Sequence, residues 1–409
     1  MPDSLTRRHA FERRFRLMGK AAIGFAILVL LLLVGNLVMQ GWKGFAQTRI
    51  LVPITFDPAV IPDATDPKIL AGADYHKLVR EGMRKLFPDI QERPKLLQLY
   101  GLTSIGAGRQ LQAMVLRDPL LRGKNQEIWL PADDLVDGFR KGYGPGTLSE
   151  TQQLWLKGLE ASNRLKLSFN ASFFTSADSR EPELAGVAAA LMGSILTVFT
   201  CLALALPVGV ATAVYLEEFA PKNRWIGLIE ININNLAAVP SIIFGLLGLA
   251  VYLAVFGMPR SSALVGGLTL ALMILPTLVV TTRASIQSVP SALRDAARGL
   301  GASPMQVVMH HVLPLATPGI MTGAILGVCR ALGETAPLLM IGMVAFVANV
   351  PGGILDPATA MPVQVYLWAD SPERAFSEKT AAAILVLLAL LALLNAVAVW
   401  IRKKFERKW

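Results

Sequence analysis

Two cysteines and four histidines in 409 residues leave little material for metal or redox chemistry. Cys201 and Cys329 both fall inside apolar runs, so no disulfide framework can be drawn, and both read as packing residues. His9 and His76 stand alone, and the adjacent His310 and His311 would point about 100° apart on a helix, a poor geometry for one metal. No GxxxxGKS or GxxxxGKT run is present, so the chain has no P-loop for ATP and would have to borrow hydrolysis from another subunit. HExxH and GxSxG are also absent. Charge is scarce too, at 17% of residues, against 53% hydrophobic residues and a mean hydropathy of +0.50, a balance that belongs in a membrane.

The first long apolar run, Ala21 to Met39, is long enough for one crossing and leaves through NLVMQGW without a small-x-small cleavage site. Residues 1–40 therefore read as a basic cytoplasmic N-terminus and a retained first membrane helix. Residues 41–184 are polar, with 19 Lys and Arg against 17 Asp and Glu, and read as a soluble α+β domain. Within it, Tyr75, Leu78, Val79 and Leu86 have helical spacing, QEIWLP suits a strand, and Ser149 caps a helix that runs towards a second strand. Five further apolar runs, at about 187–216, 226–256, 263–282, 318–348 and 379–401, complete six crossings. The fold class is thus a mostly α membrane protein of six transmembrane helices, with an α+β extracytoplasmic domain between the first two.

Basic residues orient this chain. Sixteen Lys and Arg lie on the N-terminal side: six before the first run, Lys222 and Arg224, then Arg283, Arg294 and Arg298, then five after the last run, including Arg407 and Lys408. The short loops opposite hold Arg260, Arg374 and Lys379 among Asp356, Asp370, Glu373 and Glu378. The positive-inside rule places both termini in the cytoplasm of a bacterial inner membrane and the 41–184 domain outside. It also assigns the net charge of +10 to loops facing lipid headgroups and not to a nucleic-acid footprint.

Arg330 and Glu334 lie in an apolar stretch, GVCRALGETAPLL, where a charge costs roughly 2.5 to 3.5 kcal/mol. On a continuous helix they share one stripe with Gly319, Gly323, Gly327 and Pro337, near mid-crossing, and the small-xxx-small series turns that stripe towards protein. One reading is a self-neutralising ion pair; the other is a polar pathway in which the guanidinium fork of Arg330 meets a passing oxyanion and Glu334 holds it between passages. Glu230 and Asn234 could line a vestibule or bond neighbouring helices. Asn170 fits a glycosylation pattern that a bacterial chain would carry by accident.

The loop 283–316 predicts two short helices. Ser291 can cap Ala292 to Leu300, Gly301 can end it, and Ser303-Pro304 can start a second that stops near Leu313-Pro314. Leu293, Ala296, Ala297 and Leu300 form a narrow apolar face suited to a partner's groove, or to lipid headgroups.

DAARGLGASPMQVVMHHVLP resembles the EAA loop of binding-protein-dependent ABC importer permeases, matching at Asp295, Ala296, Ala297, Gly301, Leu313 and Pro314, with Asp295 for the usual Glu and His311 at an apolar position. With NNLAAVPSIIFGL, LPTLVVTTRASIQSVP and RALGETAPLL, residues 185–401 resemble the PstA phosphate permeases. The resemblance implies a MetI-like core within 185–409, a coupling helix at 292–300 and an oxyanion role for Arg330 and Glu334. Its implied partners are a PstC permease, two copies of a PstB ATPase and a PstS binding protein, with ATP used by the ATPase and no cofactor bound directly. The residues alone leave open sulfate or molybdate as cargo, and a membrane sensor as a different class.

Overall fold

The computed structural model describes residues 3–405 apart from 64, 65, 145, 147 and 345; Arg407 and Lys408 lie outside the described residues. Helix α1 (Asp3–Gly44) carries the first apolar run and leads directly into strand β1 (Ala46–Thr55) of the inserted domain. That domain continues through α2 (Pro67–Ala71), α3 (Tyr75–Leu86), α4 (Arg93–Tyr100), α5 (Gly106–Arg117), β2 (Asn125–Pro131), α6 (Asp134–Arg140), α7 (Glu150–Ala161), β3 (Leu165–Phe169) and α8 (Ala171–Thr175). β1 is central in an antiparallel sheet of order β2-β1-β3, with Val52 opposite Ile128 and Ile50 opposite Leu165. Ile50, Val52 and Ile54 alternate onto one face, the period of two that a half-covered strand requires. They pack on Leu78, Met83, Leu111 and Leu130. Helix α7 begins at Ser149 with a capping box to Gln152, as its sequence predicts. Asn170 is buried and caps α8 through Phe173 N–H at 3.1 Å, which leaves its amide no access to a glycan.

The remaining chain is a helical bundle: α9 (Ala188–Val214), α10 (Arg224–Ala237), α11 (Ser241–Gly248), α12 (Ala263–Gln287), α13 (Ser291–Gly299), α14 (Pro304–Val307), α15 (Leu313–Gly333), α16 (Ala336–Met340), α17 (Met361–Ala369) and α18 (Arg374–Phe405). Among the described residues, five helices are long and apolar enough to cross a membrane, and the bent pair Arg224–Ala237 and Ser241–Val255 makes a sixth if counted as one span.

Two of the six expected runs are not single helices. The run at 226–256 bends by 100° between α10 and α11. Pro240 lacks a backbone donor and restricts Val239 before it, so the helix stops and restarts. The run at 318–348 ends as a helix at Gly333. Pro337 cannot donate to the Gly333 carbonyl, and its ring would clash with it, so α15 stops and a separate α16 begins. Pro207 and Pro276 are instead absorbed within α9 and α12.

Helices α9, α12 and α15 form the centre of the bundle, around Cys201, Leu270, Ile274, Leu278 and Ala324. The glycine series sets the α12–α15 approach. A Cβ on Gly319 would lie 2.1 Å from Ser285 Oγ, and one on Gly323 would lie 2.1 Å from Thr281 Oγ1, so only glycine permits this spacing. On another side α15 meets α18, where Cys329 Sγ donates to Asn395 Oδ1 at 3.0 Å and Arg402 Nη1 to Thr322 Oγ1 at 3.3 Å.

The inserted domain is fastened to the bundle by buried polar groups. Lys141 Nζ, just past α6, bonds Asp137 Oδ2 at 2.6 Å and Glu378 Oε1 of α18 at 2.5 Å, with the lysine side chain 2% exposed and that of Glu378 6%. Asp137 also accepts the Thr48 N–H of β1 at 2.7 Å. Trp368 Nε1 of α17 donates to Asp178 at 3.0 Å, and within the domain Gln47 Nε2 donates to the Glu183 carbonyl at 2.9 Å.

The carboxyl groups beneath this domain respond to pH. Asp133 is pushed up to about 7, first by burial and then by the hydrogen bond and charge of neighbouring Asp134; burial also raises Glu183, which the Ser104 hydroxyl partly offsets. From about pH 4 to about pH 7 the folded Asp133 keeps its proton while the unfolded group, with an ordinary value of 3.8, has lost it. Stability of the domain therefore falls as pH rises through that window and levels off above it. Asp133→Asn still accepts the Leu135 N–H as a cap, and is expected to flatten this fall. Amide exchange of β1 between about pH 5 and about pH 8, corrected for intrinsic exchange, measures the slope, and an unaltered slope contradicts the assignment.

Candidate functional site

Arg330 lies in the last turn of α15, and Glu334 lies beyond its end with extended backbone (φ −83°, ψ 125°). This corrects the expectation of one continuous stripe near mid-helix. Gly319, Gly323, Gly327 and Arg330 belong to α15, whereas Glu334 sits in the break and Pro337 in α16. The two charges still meet: Arg330 Nε is 3.7 Å from Glu334 Oε1. That separation is an ion pair without a hydrogen bond. The side chains are 38% and 22% exposed, and among the described residues Arg330 makes no side-chain hydrogen bond. A guanidinium with five donors in a planar fork and no hydrogen-bond acceptor among the described residues has the chemistry to bind an oxyanion. The flanking Ala331 and Leu332 are buried, which fixes the end of the helix that presents it.

At the opposite end of the same helix stands the loop 283–316. Helix α13 starts at Ser291, with Pro290 at the cap position and no side-chain cap bond, so Ser291 is its first residue and not its cap. Proline supplies the entry because its missing donor is one that a helix start leaves unpaired anyway. Leu300 closes α13, and Gly301, at φ +88°, turns the chain through a conformation that favours glycine. Ser303 then caps α14 in a capping box with Gln306. The second helix does not stop near Leu313-Pro314. It passes through a π-helical turn, Val308–Val312, straight into α15, because Pro314 falls in the first turn of α15, where its absent donor matters least. The loop and Arg330 thus share one helical rod, with about 26 Å between Leu313 and Arg330 at 1.5 Å per residue.

The face expected on α13 divides in two. Ala297 is buried against its own loop, in a cluster with Val307 and Val312. Leu293, Asp295 and Ala296 are exposed, and Leu300 is 91% exposed. Leu300 and Leu293 thus leave apolar side chains uncovered on the surface of this loop. His310 and His311 are also exposed, and among the described residues no group of His, Cys, Asp and Glu is arranged to hold a metal.

Four charged residues that the sequence presented only as topology markers, or not at all, turn out to be half-buried partners. Arg283 Nε bonds Glu217 Oε1 at 2.5 Å and its Nη2 bonds Glu230 Oε1 at 2.8 Å. Arg294 bonds Glu218 at 3.0 Å. Glu230 therefore joins helices, while Asn234 is exposed. The available signal was the pair Glu217-Glu218 at the end of an apolar run, opposite in sign to Arg283 at the start of the loop and Arg294 within it.

Residues 205–409 match the family profile described as binding-protein-dependent transport system inner membrane component. The chain belongs to this family. Residues 2–150 match a domain of unknown function, DUF3333. The phosphate transport system permease protein PstA of Mycobacterium leprae is 34% identical over 211 residues, covering 51% of this chain and 68% of that protein. The PstA protein of Haemophilus influenzae is 33% identical, covering 50% and 71%. Among solved structures, the inward-facing MetNI methionine ABC transporter is 20% identical and covers 54% of this chain and 95% of its own, with a TM-score of 0.43. In this inner-membrane transport component, exposed residues of α13 and the half-exposed Arg330 lie towards opposite ends of one helical rod.

Proposed function

We propose that this chain is the PstA-type permease subunit of an ATP-driven importer of inorganic phosphate. The observation that carries the reading is Arg330: a permanently charged fork at the end of a membrane helix, with no hydrogen-bond acceptor among the described residues, in a chain similar to phosphate permeases. Phosphate released by a PstS-type binding protein on the outer side meets Arg330 beside a PstC-type partner permease, while Glu334 neutralises the guanidinium between passages. Two copies of a PstB-type ATPase drive the cycle from the cytoplasmic side, one of them seated on α13. Both termini lie in the cytoplasm and the 41–184 domain lies outside. Transport follows because ATP and loaded binding protein stabilise different states of the bundle.

Purifying the chain with its co-expressed neighbours, reconstituting the complex in vesicles and measuring ATP-dependent uptake of labelled phosphate tests this reading. Competition by unlabelled phosphate, with none from sulfate or molybdate at equal concentration, is the expected result. Competition by sulfate or molybdate in place of phosphate overturns the cargo assignment, and a complex without an ATPase overturns the mechanism.

The docking face makes a separate prediction. Leu300→Glu and Leu293→Glu place charge on exposed positions and are expected to remove the ATPase from the purified complex while the permease pair remains. Ala297→Glu instead buries a charge in the loop's own core and lowers the yield of the permease itself. ATPase recovery unaffected by the leucine substitutions contradicts the face.

A further inference from the structure

Glu217 and Glu218 are neighbours in a π-helical turn, Tyr215–Phe219, that continues α9. Successive side chains on any helical turn point in different directions, so the two carboxylates diverge. Glu217 Oε1 accepts Arg283 Nε of α12 at 2.5 Å and Gln287 Nε2 at 3.0 Å, and the same guanidinium reaches Glu230 of α10. Glu218 Oε1 accepts Arg294 Nε of α13 at 3.1 Å. Arg294 spends its other arms on the last carbonyls of α12 and the segment after it, Nη2 on Ile286 O at 2.8 Å and Nη1 on Val289 O at 2.6 Å. Its side chain is 16% exposed and that of Glu218 8%.

This geometry gives α13 one directional tie to the membrane helices. Ala297 is the buried residue of the helix, and its methyl belongs to an apolar cluster with Val307 and Val312 that also takes in Leu216 and Ile286. A methyl contact can slide, because dispersion has no preferred direction. A planar fork bound to three acceptors on two different elements cannot move without carrying them or breaking several charge-assisted bonds at once.

We infer that Arg294 and Glu218 are positioning residues that form the joint passing displacement of α13 to α9 and α12, with Arg283 and Glu217 holding α10 at the same point. The inference rests on the reading of this chain as a permease driven by a separate ATPase. The joint is distinct from the docking face: Leu293, Ala296 and Leu300 decide whether the ATPase is held, whereas Arg294 and Glu218 decide whether its movement arrives.

The test measures ATP hydrolysis and phosphate uptake together in the reconstituted complex with loaded binding protein. Glu218→Ala is expected to retain the ATPase and basal hydrolysis within about twofold, while phosphate moved per ATP and stimulation by the binding protein both fall at least about tenfold. Glu218→Gln keeps an oxygen for Arg294 Nε and is expected to restore most of the ratio, a rescue that loop packing alone does not produce. If the alanine variant fails to assemble, Arg294→Lys decides, since one ammonium cannot serve three acceptors: a lowered ratio supports the joint and an unchanged one overturns it. A wild-type complex that hydrolyses ATP and moves no oxyanion sinks the transport reading; a wild type that transports, beside a Glu218→Ala complex equally well coupled, sinks the joint alone.

Discussion

Replacing Arg330 by glutamine in the assembled complex is expected to lower phosphate uptake about ten- to a hundredfold with ATPase binding intact. A hydrogen bond to a charged group contributes about 1.5–3 kcal/mol, and 1.4 kcal/mol is a factor of ten. Glutamine keeps donors but loses the charge and the fork. Lysine keeps the charge without the planar fork, so Arg330→Lys falls between the two. Neither change touches the glycines that set the α12–α15 approach, and the arginine is already 38% exposed, so the bundle keeps its packing. Glu334→Gln is the informative companion: with its counter-charge gone, Arg330 holds an anion longer and uptake slows by delayed release, the penalty of a site that binds too well. Labelled uptake normalised to assembled complex measures all three. Undiminished uptake by the glutamine variant removes Arg330 from the pathway.

Lys141→Met is expected to loosen the inserted domain from the bundle. It leaves Asp137 and Glu378, both almost fully buried, without the cation that bonds them both, and with the buried Lys379 nearby. Removing one partner of a buried ionic group typically costs about 3–5 kcal/mol, because the remaining charge is uncompensated. Amide exchange should report this as lost protection in β1, whose Thr48 N–H is bonded to Asp137, while α12 at the centre of the bundle keeps its protection. The triple change Lys141→Met, Asp137→Asn, Glu378→Gln should regain much of the loss, since neutral groups of similar shape replace the whole cluster. A single variant with native protection in β1 shows that the domain is held by its other contacts.

Arg330 and Lys141 stand in opposite surroundings both in the sequence and in space. Arg330 stands in an apolar run, was conspicuous for that reason, and proves half-exposed with a single distant counter-ion. Lys141 stands in an ordinary polar stretch and proves buried between two carboxylates, one of them in α18. The sign and depth of an apolar background mark the first kind of residue. Asp137, four residues before Lys141, is a local partner, but no local pattern marks the burial of the pair, because Glu378 is brought from far along the chain.

By itself the sequence determined the membrane class, the number of apolar segments, the inserted α+β domain and the existence of a two-part loop after α12. These follow from composition, from runs long enough to span a bilayer, and from cap and breaker residues that act within a few positions. It also pointed to Arg330 and Glu334. Only the tertiary structure decided that α15 ends between them, that α10 and α11 cross at 100°, that Ala297 turns inward while Leu300 turns out, and that Glu218 and Arg294 meet. Periodicity describes a helix that continues; whether it continues depends on whether neighbours satisfy the backbone groups that a proline frees. Ion pairs between helices depend on how those helices cross, and that angle is a property of packed surfaces, which no single segment carries.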